Sequence, residues 1–438
     1  MIQLALDEVA ALCAGSLEPA PGATRITGVK IDSRLVEPGD LFVAVGGGTE
    51  FLADAREHGA AATLVPVDAF AALAALGAAV RERSHAKVVA ITGSTGKTST
   101  KDILAALCRP HARAIAAHAS FNNEIGTPLT LCRLEADTEV CILELAMRGF
   151  GQIAELAAIA RPQIGAITNV GPVHLELVET VEGVARAKAE LLQALPRGGT
   201  AIIPAAAREL EPYLALEGVD VVRVGTDGDV RLVGLTAGRR TTRLEVELLD
   251  ERLEVELNFT ALHHVDNALV ALVAYRALGL PLAEVGSGAR EILFSRWRGE
   301  ELPLPGGGVL INDCYNANPV SMRAALTLLG TRAESRRRVA ILGDMAELGP
   351  DAPSYHHQIG AAAAELGVQA LVAIGPLARA YVDGATGIDP AVWAATLEEG
   401  LEAAARIVEP GDCVLVKGSR AMGLEAVAEA LATEAVTY

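Results

Sequence analysis

The sequence has little that is typical of an exported, membrane-bound or nucleic-acid-binding protein. Its six cysteines stand apart, with no CxxC pair and no histidines at zinc-binding spacing, so we expect reduced thiols rather than disulfides or structural zinc. The formal charge of −18 and pI near 5.0 argue against a general basic surface for nucleic acid. The N-terminal segment lacks the basic start of a signal peptide, and no apolar run is typical of a membrane span. We therefore expect a cytoplasmic protein that holds anionic ligands at local positive sites.

Lysine is scarce as well. Only six of the 37 basic residues are lysine, at positions 30, 87, 97, 101, 188 and 417, and arginine supplies the other 31. In a chain that uses arginine by default, a lysine can mark a place that needs a compact ammonium, or an amine that must lose its charge. This rarity strengthens the case for a functional role at three lysines that also fall within motifs described below: Lys97, Lys188 and Lys417.

Two stretches of the chain alternate apolar runs with alanine-rich helical patterns, which indicates parallel sheets with helical crossovers. The first stretch begins near residue 87 and contains VVAIT, VCILE, IGAIT and TAIIP, and the second contains GVLIND, VAILG, ALVAIG and CVLVKG. Between them RLEVEL occurs at 243–248 and again at 252–257, a period-two pattern that predicts a β-hairpin.

The length of 438 residues favours about three domains. The charged run at 81–85 predicts a linker, and the segment at 296–308, rich in Gly and Pro, predicts a second boundary. We therefore predict an α/β protein with domains at 1–85, 86–298 and 299–438.

The segment VVAITGSTGKTST places a buried strand, a glycine loop and a helix start in the order that phosphate binding requires. Glycines let backbone N–H groups converge on phosphate oxygens, and the helix N-terminus adds positive potential. The spacing is GxxGKT rather than GxxxxGKT, because Ile91 stands where the longer form has its first glycine. A tight strand-to-helix turn with a chance lysine is the alternative. The residues predicted to hold the phosphates are Gly93, Ser94, Thr95, Gly96, Lys97 and Thr98, with Thr98 also placed to meet Mg²⁺.

Other polar residues follow buried strands or open helices. Glu144 ends VCILE, where an acid can approach a metal beside the phosphate loop. The segment DCYNANP at 313–319 follows GVLIN, so its side chains fall at a strand's carboxyl end, where α/β folds bind ligands. His174 follows IGAITNV in a loop, and Lys188 lies on the next helix. A solvated acid, a surface histidine and a snorkelling lysine are the alternatives.

In this order and register the motifs resemble the Mur ligase family, whose ATP loop has the same shortened form. The resemblance covers nearly the whole chain and includes IDSRLVEPGDLFVAVGG, LHHVDNAL, LGDMAELG and VLVKGSR. NNEIGTP and YNANP are similar to segments of the members that add a terminal dipeptide. The DYAH-type segment and DNPR motif of the members that add a third amino acid do not occur. The sequence departs from the family where His264 replaces a usual asparagine, Trp297 a usual glycine, and GGTEF the frequent DGHDF.

The resemblance implies roles for individual residues. Lys97, Lys188 and His174 would be catalytic, and the amine of Lys188 would be carbamylated so that it helps to hold Mg²⁺ instead of repelling it. The metal would be held by Thr98, Glu144, His174 and Lys188, and the nucleotide also by His263, Asn267, Arg298 and Asp313. The substrates would be bound by Ser33, Arg34, Asn122, Asn123, Thr127, Tyr315, Asn316, Asn318, Lys417 and Ser419.

The resemblance also implies the architecture and the activity. It implies a small N-terminal α/β domain, a central P-loop ATPase domain with a parallel sheet, and a C-terminal Rossmann-like domain. The activity would join D-alanyl-D-alanine to UDP-N-acetylmuramoyl-tripeptide with ATP and Mg²⁺, through an acyl phosphate. We expect a monomer that acts on small molecules and not on nucleic acid. The alternatives are a Mur-type ligase that adds a single amino acid, and a P-loop ATPase that hydrolyses ATP only to change shape.

Overall fold

The structure, a computed structural model, describes residues 1–118, 121–238 and 241–434. These residues form an α/β fold, as predicted, with sheets of two, four, nine and six strands. The chain divides into two compact units: the first comprises 1–169, 186–258 and 266–293, and the second comprises 170–185, 259–265 and 294 onward. The domain boundaries at residues 85 and 298 stay a prediction.

The N-terminal part of the first unit contains a four-stranded sheet in the order β2-β6-β5-β4 and a two-stranded sheet of β1 and β3. Its strands are β1 Leu4–Ala5, β2 Gly15–Pro19, β3 Arg25–Ile26, β4 Gly28–Lys30, β5 Asp40–Val43 and β6 Ala62–Pro66. Its helices are α1 Leu6–Leu12, α2 Leu52–Glu57 and α3 Ala69–Arg83, and Asp68 caps α3 by accepting from the N–H groups of Phe70 and Ala71.

The charged run at 81–85 does not form an open linker, which corrects the sequence prediction. Residues 81–83 are the last turn of α3, and Arg81 is buried. Its guanidinium donates to the carbonyls of Ala160 at 2.8 Å and Ser84 at 3.0 Å. The carbonyl acceptors compensate for burying the charge, and the run is therefore part of the packed structure.

The nine-stranded sheet of the first unit runs in the order β15-β14-β13-β12-β11-β10-β7-β9-β8. Its strands are β7 Lys87–Thr92, β8 Ala114–Ala116, β9 Val140–Glu144, β10 Ile164–Ile167, β11 Thr200–Pro204, β12 Asp220–Val224, β13 Val230–Ala237, β14 Thr242–Leu248 and β15 Glu251–Leu257. The helices between and after these strands are α4 Lys97–Cys108, α5 Gly126–Leu131, α6 Gln152–Ala160, α8 Val181–Gln193, α9 His264–Ala277 and α10 Gly286–Ala289.

The order of strands places a topological switch beside β7. From β7 the chain passes through α4 to β8 at one edge, returns to β9, and then crosses through α6 to β10 on the other side of β7. Both β9 and β10 pair with β7 in parallel. Ligands bind in the crevice at the carboxyl ends of strands where such a reversal occurs, so the loop after β7 lies in the expected position for a site.

The two RLEVEL segments form the predicted hairpin. β14 and β15 pair antiparallel, and Leu248 lies opposite Glu251. The turn is therefore Leu249-Asp250, one residue shorter than the sequence indicated, and Leu249 has a φ of 59°.

The six-stranded sheet of the second unit runs in the order β16-β17-β21-β18-β19-β20 and is parallel apart from β16. Its strands are β16 Glu300–Leu304, β17 Gly308–Asn312, β18 Arg338–Gly343, β19 Ala370–Ile374, β20 Ala391–Ala394 and β21 Cys413–Lys417. The helices of this unit include α7 Leu175–Val178, α11 Pro319–Ala333, α12 Ala352–Glu365, α13 Arg379–Gly384, α14 Leu397–Ile407 and α15 Glu425–Glu434.

Both faces of the six-stranded sheet are covered. Alternate residues such as Ala340 and Leu342 pack in one cluster with α11, α12 and α13, whereas Val339 and Ile341 pack in another with α14 and α15. A strand buried on both faces is a continuous apolar run, which is why the sequence shows these strands clearly. Within the described residues, no helix has the length and apolar character needed to cross a membrane.

Candidate active site

The loop between β7 and α4 requires glycine at two positions. Gly93 has a φ of 151°, and a Cβ there would lie 1.9 Å from Thr168 Oγ1. Gly96 has a φ of 80°, and a Cβ there would lie 2.2 Å from Asn267 Oδ1. Any side chain at these positions would be strained and would collide with a neighbour. The two glycines of the shortened GxxGKT pattern therefore have separate steric causes.

The loop donates two backbone hydrogen bonds to Asn169, which lies just after β10. The Ser94 N–H donates to the Asn169 carbonyl at 3.2 Å, and the Thr95 N–H donates to Asn169 Oδ1 at 2.8 Å. Lys97 begins α4, and its Nζ folds back to donate to the Gly93 carbonyl at 2.7 Å. The N-terminus of a three-turn helix and an ammonium thus face the same loop, which is an arrangement that binds phosphate.

Thr168 and Asn169 contact the phosphate loop directly, and the sequence interpretation did not select them. They follow β10 directly, and β10 is the IGAI run that the sequence located correctly. The rule that selected Glu144, a polar residue at the carboxyl end of a buried strand, would have selected them too.

Glu144 ends β9 and is buried, with 1% of its surface exposed. Thr98 Oγ1 donates to one carboxylate oxygen and Asn122 Nδ2 to the other, each at 2.7 Å. Among the described residues no basic group lies within ion-pair distance of this carboxylate. The two neutral donors supply no positive charge to this buried carboxylate, and a divalent cation beside it would supply that charge.

The donors present fit Mg²⁺. Thr98 and Glu144 supply hard oxygen atoms, and Mg²⁺ is usually bound by one or two carboxylates together with phosphate oxygens and water. No group of three His, Cys, Asp or Glu side chains at metal-binding distance occurs in the described part of the chain. A complete cage from the protein is not what Mg²⁺ needs beside a nucleotide.

Lys188 lies on α8 with 2% of its surface exposed. Burial lowers the pKa of its amine well below the ordinary value, and the positive charge of Lys97 lowers it further. No carboxylate of the described residues lies within ion-pair distance of it. A buried amine that loses its proton readily is the form that can react with CO₂, so the environment suits the carbamylation that the family resemblance implies.

His174 belongs to the second unit, where its Nδ1 pairs with a carboxylate oxygen of Glu347. Both residues have left-handed backbones, with φ of 53° and 62°. The prediction that His174 helps to hold a metal stays a prediction.

The residues expected to contact the nucleotide base lie in different surroundings. Asn267, in the first unit, lies against Gly96 of the phosphate loop. His263 lies in the second unit, and burial lowers its pKa. His264, which departs from the family pattern, is buried and stacks on Phe294 at 4.1 Å with an interplanar angle of 26°. Burial holds the pKa of His264 well below its usual value. Histidine at position 264 therefore contributes an uncharged aromatic ring that packs against Phe294.

The segment after β17 places several predicted residues together. Lys417 Nζ donates to Asp313 Oδ2 at 2.6 Å and to the Asn316 carbonyl at 2.9 Å. The two residues were predicted separately, Asp313 for the nucleotide and Lys417 for the substrate. They form one ion pair, in which Lys417 is buried and Asp313 partly buried. Arg298 lies over the ring of Tyr315, with 4.1 Å between its guanidinium carbon and the ring centroid.

Other predicted substrate residues have local structural contacts. Asn318 caps α11 in a capping box with Ser321, and Asn123 Oδ1 accepts from the Gly126 N–H at the start of α5. Ser419 Oγ accepts from the Ala346 N–H at 2.9 Å. Thr127 is fully buried in α5, and among the described residues its hydroxyl has no hydrogen-bond partner. This burial does not support a direct substrate contact for Thr127.

At the N-terminal end of the chain, Ser33 is buried and Arg34 is exposed. The Arg34 guanidinium forms a two-pronged contact with Asp32, with Nε at 2.9 Å and Nη2 at 2.6 Å from its carboxylate oxygens. The hydrogen bonds from Arg34 lower the pKa of Asp32 to about 2. A role for this pair at the UDP end of a substrate stays a prediction.

A phosphate loop at the switch point of a parallel sheet, beside a buried carboxylate, defines a nucleotide-binding protein of the P-loop class. Comparison with known proteins makes the assignment specific. The Mur ligase middle domain family matches residues 91–275, and the Mur ligase glutamate ligase domain family matches residues 297–420. The UDP-N-acetylmuramoyl-tripeptide–D-alanyl-D-alanine ligase of Mycobacterium tuberculosis is 36% identical, covering 99% of this chain and 98% of that protein. The chain belongs to the Mur ligase family.

Solved structures agree with this assignment. A MurF crystal structure from Acinetobacter baumannii superposes with a TM-score of 0.86 at 28% identity, covering 98% of this chain and 99% of that one. The MurF ligase of Thermotoga maritima in complex with ADP gives a TM-score of 0.78 at 25% identity, covering 93% of this chain and 98% of that one. The three-domain α/β architecture predicted from the sequence is thereby confirmed.

Proposed function

We propose that this protein is an ATP-dependent ligase that joins D-alanyl-D-alanine to UDP-N-acetylmuramoyl-tripeptide in peptidoglycan precursor synthesis. The observation that carries the proposal is the Glu144 carboxylate. It is held on one side by Thr98 of the phosphate loop and on the other by Asn122 of NNEIGTP, the segment typical of dipeptide-adding relatives. One buried acid therefore links the nucleotide loop to the motif that indicates the acceptor. The names of the relatives support the same substrates.

The reaction needs two steps because a free carboxylate resists attack by an amine. In the first, an oxygen of the tripeptide's terminal carboxylate attacks the γ-phosphorus of ATP, the bond to the β-phosphate oxygen breaks, and acyl phosphate and ADP form. In the second, the dipeptide amine attacks the acyl carbon, phosphate leaves, and the amine gives up its proton. The first step brings together anionic groups, so the barrier depends on positive potential at the phosphates.

The residues of the loop supply that potential. The backbone N–H groups at the start of α4 would face the phosphates, and Lys97, once released from the Gly93 carbonyl, would reach the outer phosphate oxygens. Thr98 and Glu144 would hold Mg²⁺, which neutralises developing charge on the phosphates when bound. Lys188 as a carbamate would add to this metal site, and we propose His174 as a further metal ligand. We also propose that the enzyme is cytoplasmic and monomeric.

Dependence of ADP release on both substrates tests the proposal. ADP formation is followed in a coupled assay with ATP and Mg²⁺, first alone, then with UDP-N-acetylmuramoyl-tripeptide, and then with D-alanyl-D-alanine as well. The ligase proposal predicts sustained ADP release only in the complete mixture. Equal ADP release in all three mixtures would instead identify an ATPase that hydrolyses ATP to change shape.

A further inference from the structure

Among the residues that the structure describes, Arg298 has an aromatic partner and no anionic one. Its guanidinium lies over the ring of Tyr315 at 4.1 Å, and no carboxylate of the described residues lies within ion-pair distance of it. Its Nε is buried and lacks a hydrogen-bond partner among these residues. A buried guanidinium nitrogen without an acceptor is costly, and an anion brought by a ligand would offset that cost.

The backbone fixes the position of the two side chains. Glu300, the first residue of β16, pairs with Asn312, the last residue of β17. The segment that enters β16 and the segment that follows β17 therefore lie next to each other. The Tyr315 N–H donates to the Trp297 carbonyl at 3.2 Å and ties the segments together. The ring of Tyr315 and the side chain of Arg298 are therefore neighbours because of main-chain pairing as well as their mutual attraction.

Trp297 packs at the same end of the β16–β17 hairpin as Arg298 and Tyr315. Its φ of 62° is left-handed, a conformation that glycine adopts at less cost than any other residue. Its ring lies 4.6 Å from the guanidinium carbon of Arg420, which in turn donates to Glu425 Oε1 at 2.6 Å. A side chain in a strained conformation is retained where its surroundings hold it, and here the ring packs against a cation.

We propose that Tyr315 is a positioning residue for Arg298 and not a contact for the peptide substrate. Its ring holds the guanidinium flat by a cation–π contact, with the polar edge of the guanidinium available to the phosphates of the nucleotide. This inference rests on the proposed function for the identity of the anion. It assigns the tyrosine of YNANP to the nucleotide side of the reaction, whereas the sequence alone assigned it to the substrate side.

The test compares Tyr315→Phe with Tyr315→Leu. Phenylalanine keeps the ring face and loses the hydroxyl, and leucine loses the ring. The dissociation constant for ADP with Mg²⁺, measured by titration calorimetry, is expected to rise roughly tenfold for Tyr315→Leu and less than about threefold for Tyr315→Phe, because the cation–π contact survives in the second variant. The KM for D-alanyl-D-alanine is expected to stay within about twofold of wild type in both.

Double substitution provides the control. In an Arg298→Ala background Tyr315→Leu should weaken ADP binding by less than about twofold, because the partner that the ring positions is already gone. The inference would be overturned if Tyr315→Phe and Tyr315→Leu weakened ADP binding equally, or if Tyr315→Leu had its full effect on ADP binding in the absence of Arg298. A rise in the KM for D-alanyl-D-alanine with unchanged affinity for ADP would also overturn it. ADP binding needs no ligase activity, so a wild-type protein that binds ADP but makes no ligated product would contradict the proposed function alone.

Discussion

The amine of Lys188 gives a stability prediction with a definite sign. Lys188 is buried in α8, and burial, followed by the charge of Lys97, lowers the pKa of its amine well below the ordinary value. In the unfolded chain the same amine has an ordinary pKa of about 10.4. Between the two pKa values the folded protein holds a neutral amine and unfolding takes up one proton. Raising the pH through this window therefore stabilises the folded state, and below the folded pKa the full cost of burying the charge remains.

The magnitude follows from the linkage. Each pH unit inside the window changes the free energy of unfolding by about 1.4 kcal/mol. Lys188→Met roughly keeps the length of the side chain and removes the amine, so folding of the variant does not require the removal of a proton or the burial of a charge at this position. We expect Lys188→Met to be more stable than wild type at pH 7.5, and we expect its advantage to shrink by about 1.4 kcal/mol for each pH unit inside the window. For a compact unit of this size that corresponds to roughly 2–4 °C in Tm per unit.

Calorimetric Tm values at pH 7.5 to 10 measure this difference, in CO₂-free buffer with EDTA so that neither a carbamate nor a metal complex forms. Lys87→Met is the matched control, because it removes an exposed ammonium that donates to the Leu278 carbonyl and reports the effect of losing one positive charge. A Lys188→Met advantage that is constant across this pH range, or a variant less stable than wild type at pH 7.5, would refute the reasoning.

Three further predictions concern the same site. Gly96→Ala should weaken ADP binding by at least tenfold because its Cβ would lie 2.2 Å from Asn267 Oδ1, whereas Gly22→Ala, with a φ of 81° and open space, should show only the backbone cost of about 1 kcal/mol in thermal unfolding. Thr98→Val should raise the Mg²⁺ concentration for half-maximal activity by roughly tenfold and Thr98→Ser should not, since only serine keeps the hydroxyl; equal values would contradict the metal assignment. Lys188→Ala should lose ligase activity that added short carboxylates partly restore, and a fully active variant would exclude the carbamate.

Much of the fold could be predicted because its strands are buried on both faces. Runs such as VVAIT and CVLVK are apolar throughout, so their positions are visible without knowledge of their neighbours. Short strands such as Ala114–Ala116 have too few apolar residues to stand out. The same logic located Glu144 and the phosphate loop, because parallel strands deliver their carboxyl ends to one edge.

What the sequence could not show is which partner each polar side chain has. Arg81 appears as one charge in an open linker, yet its acceptor is the Ala160 carbonyl, 79 residues away. Asn318 was expected from the family resemblance to bind substrate, and its side chain caps α11. His264 departs from the family pattern, and only its stack on Phe294 gives the reason. Residue type and spacing limit the chemistry, and long-range packing selects the partner.

Mass spectrometry of the UDP-linked product tests the central claim most directly. The protein is incubated with ATP, Mg²⁺ and UDP-N-acetylmuramoyl-tripeptide, with D-alanyl-D-alanine, D-alanine or a diamino acid as the acceptor in separate reactions. The proposed function predicts a product heavier by one dipeptide, less one water, only with D-alanyl-D-alanine, and one ADP for each product molecule. A product that gains a single amino acid, or ADP released without any ligated product, would contradict it.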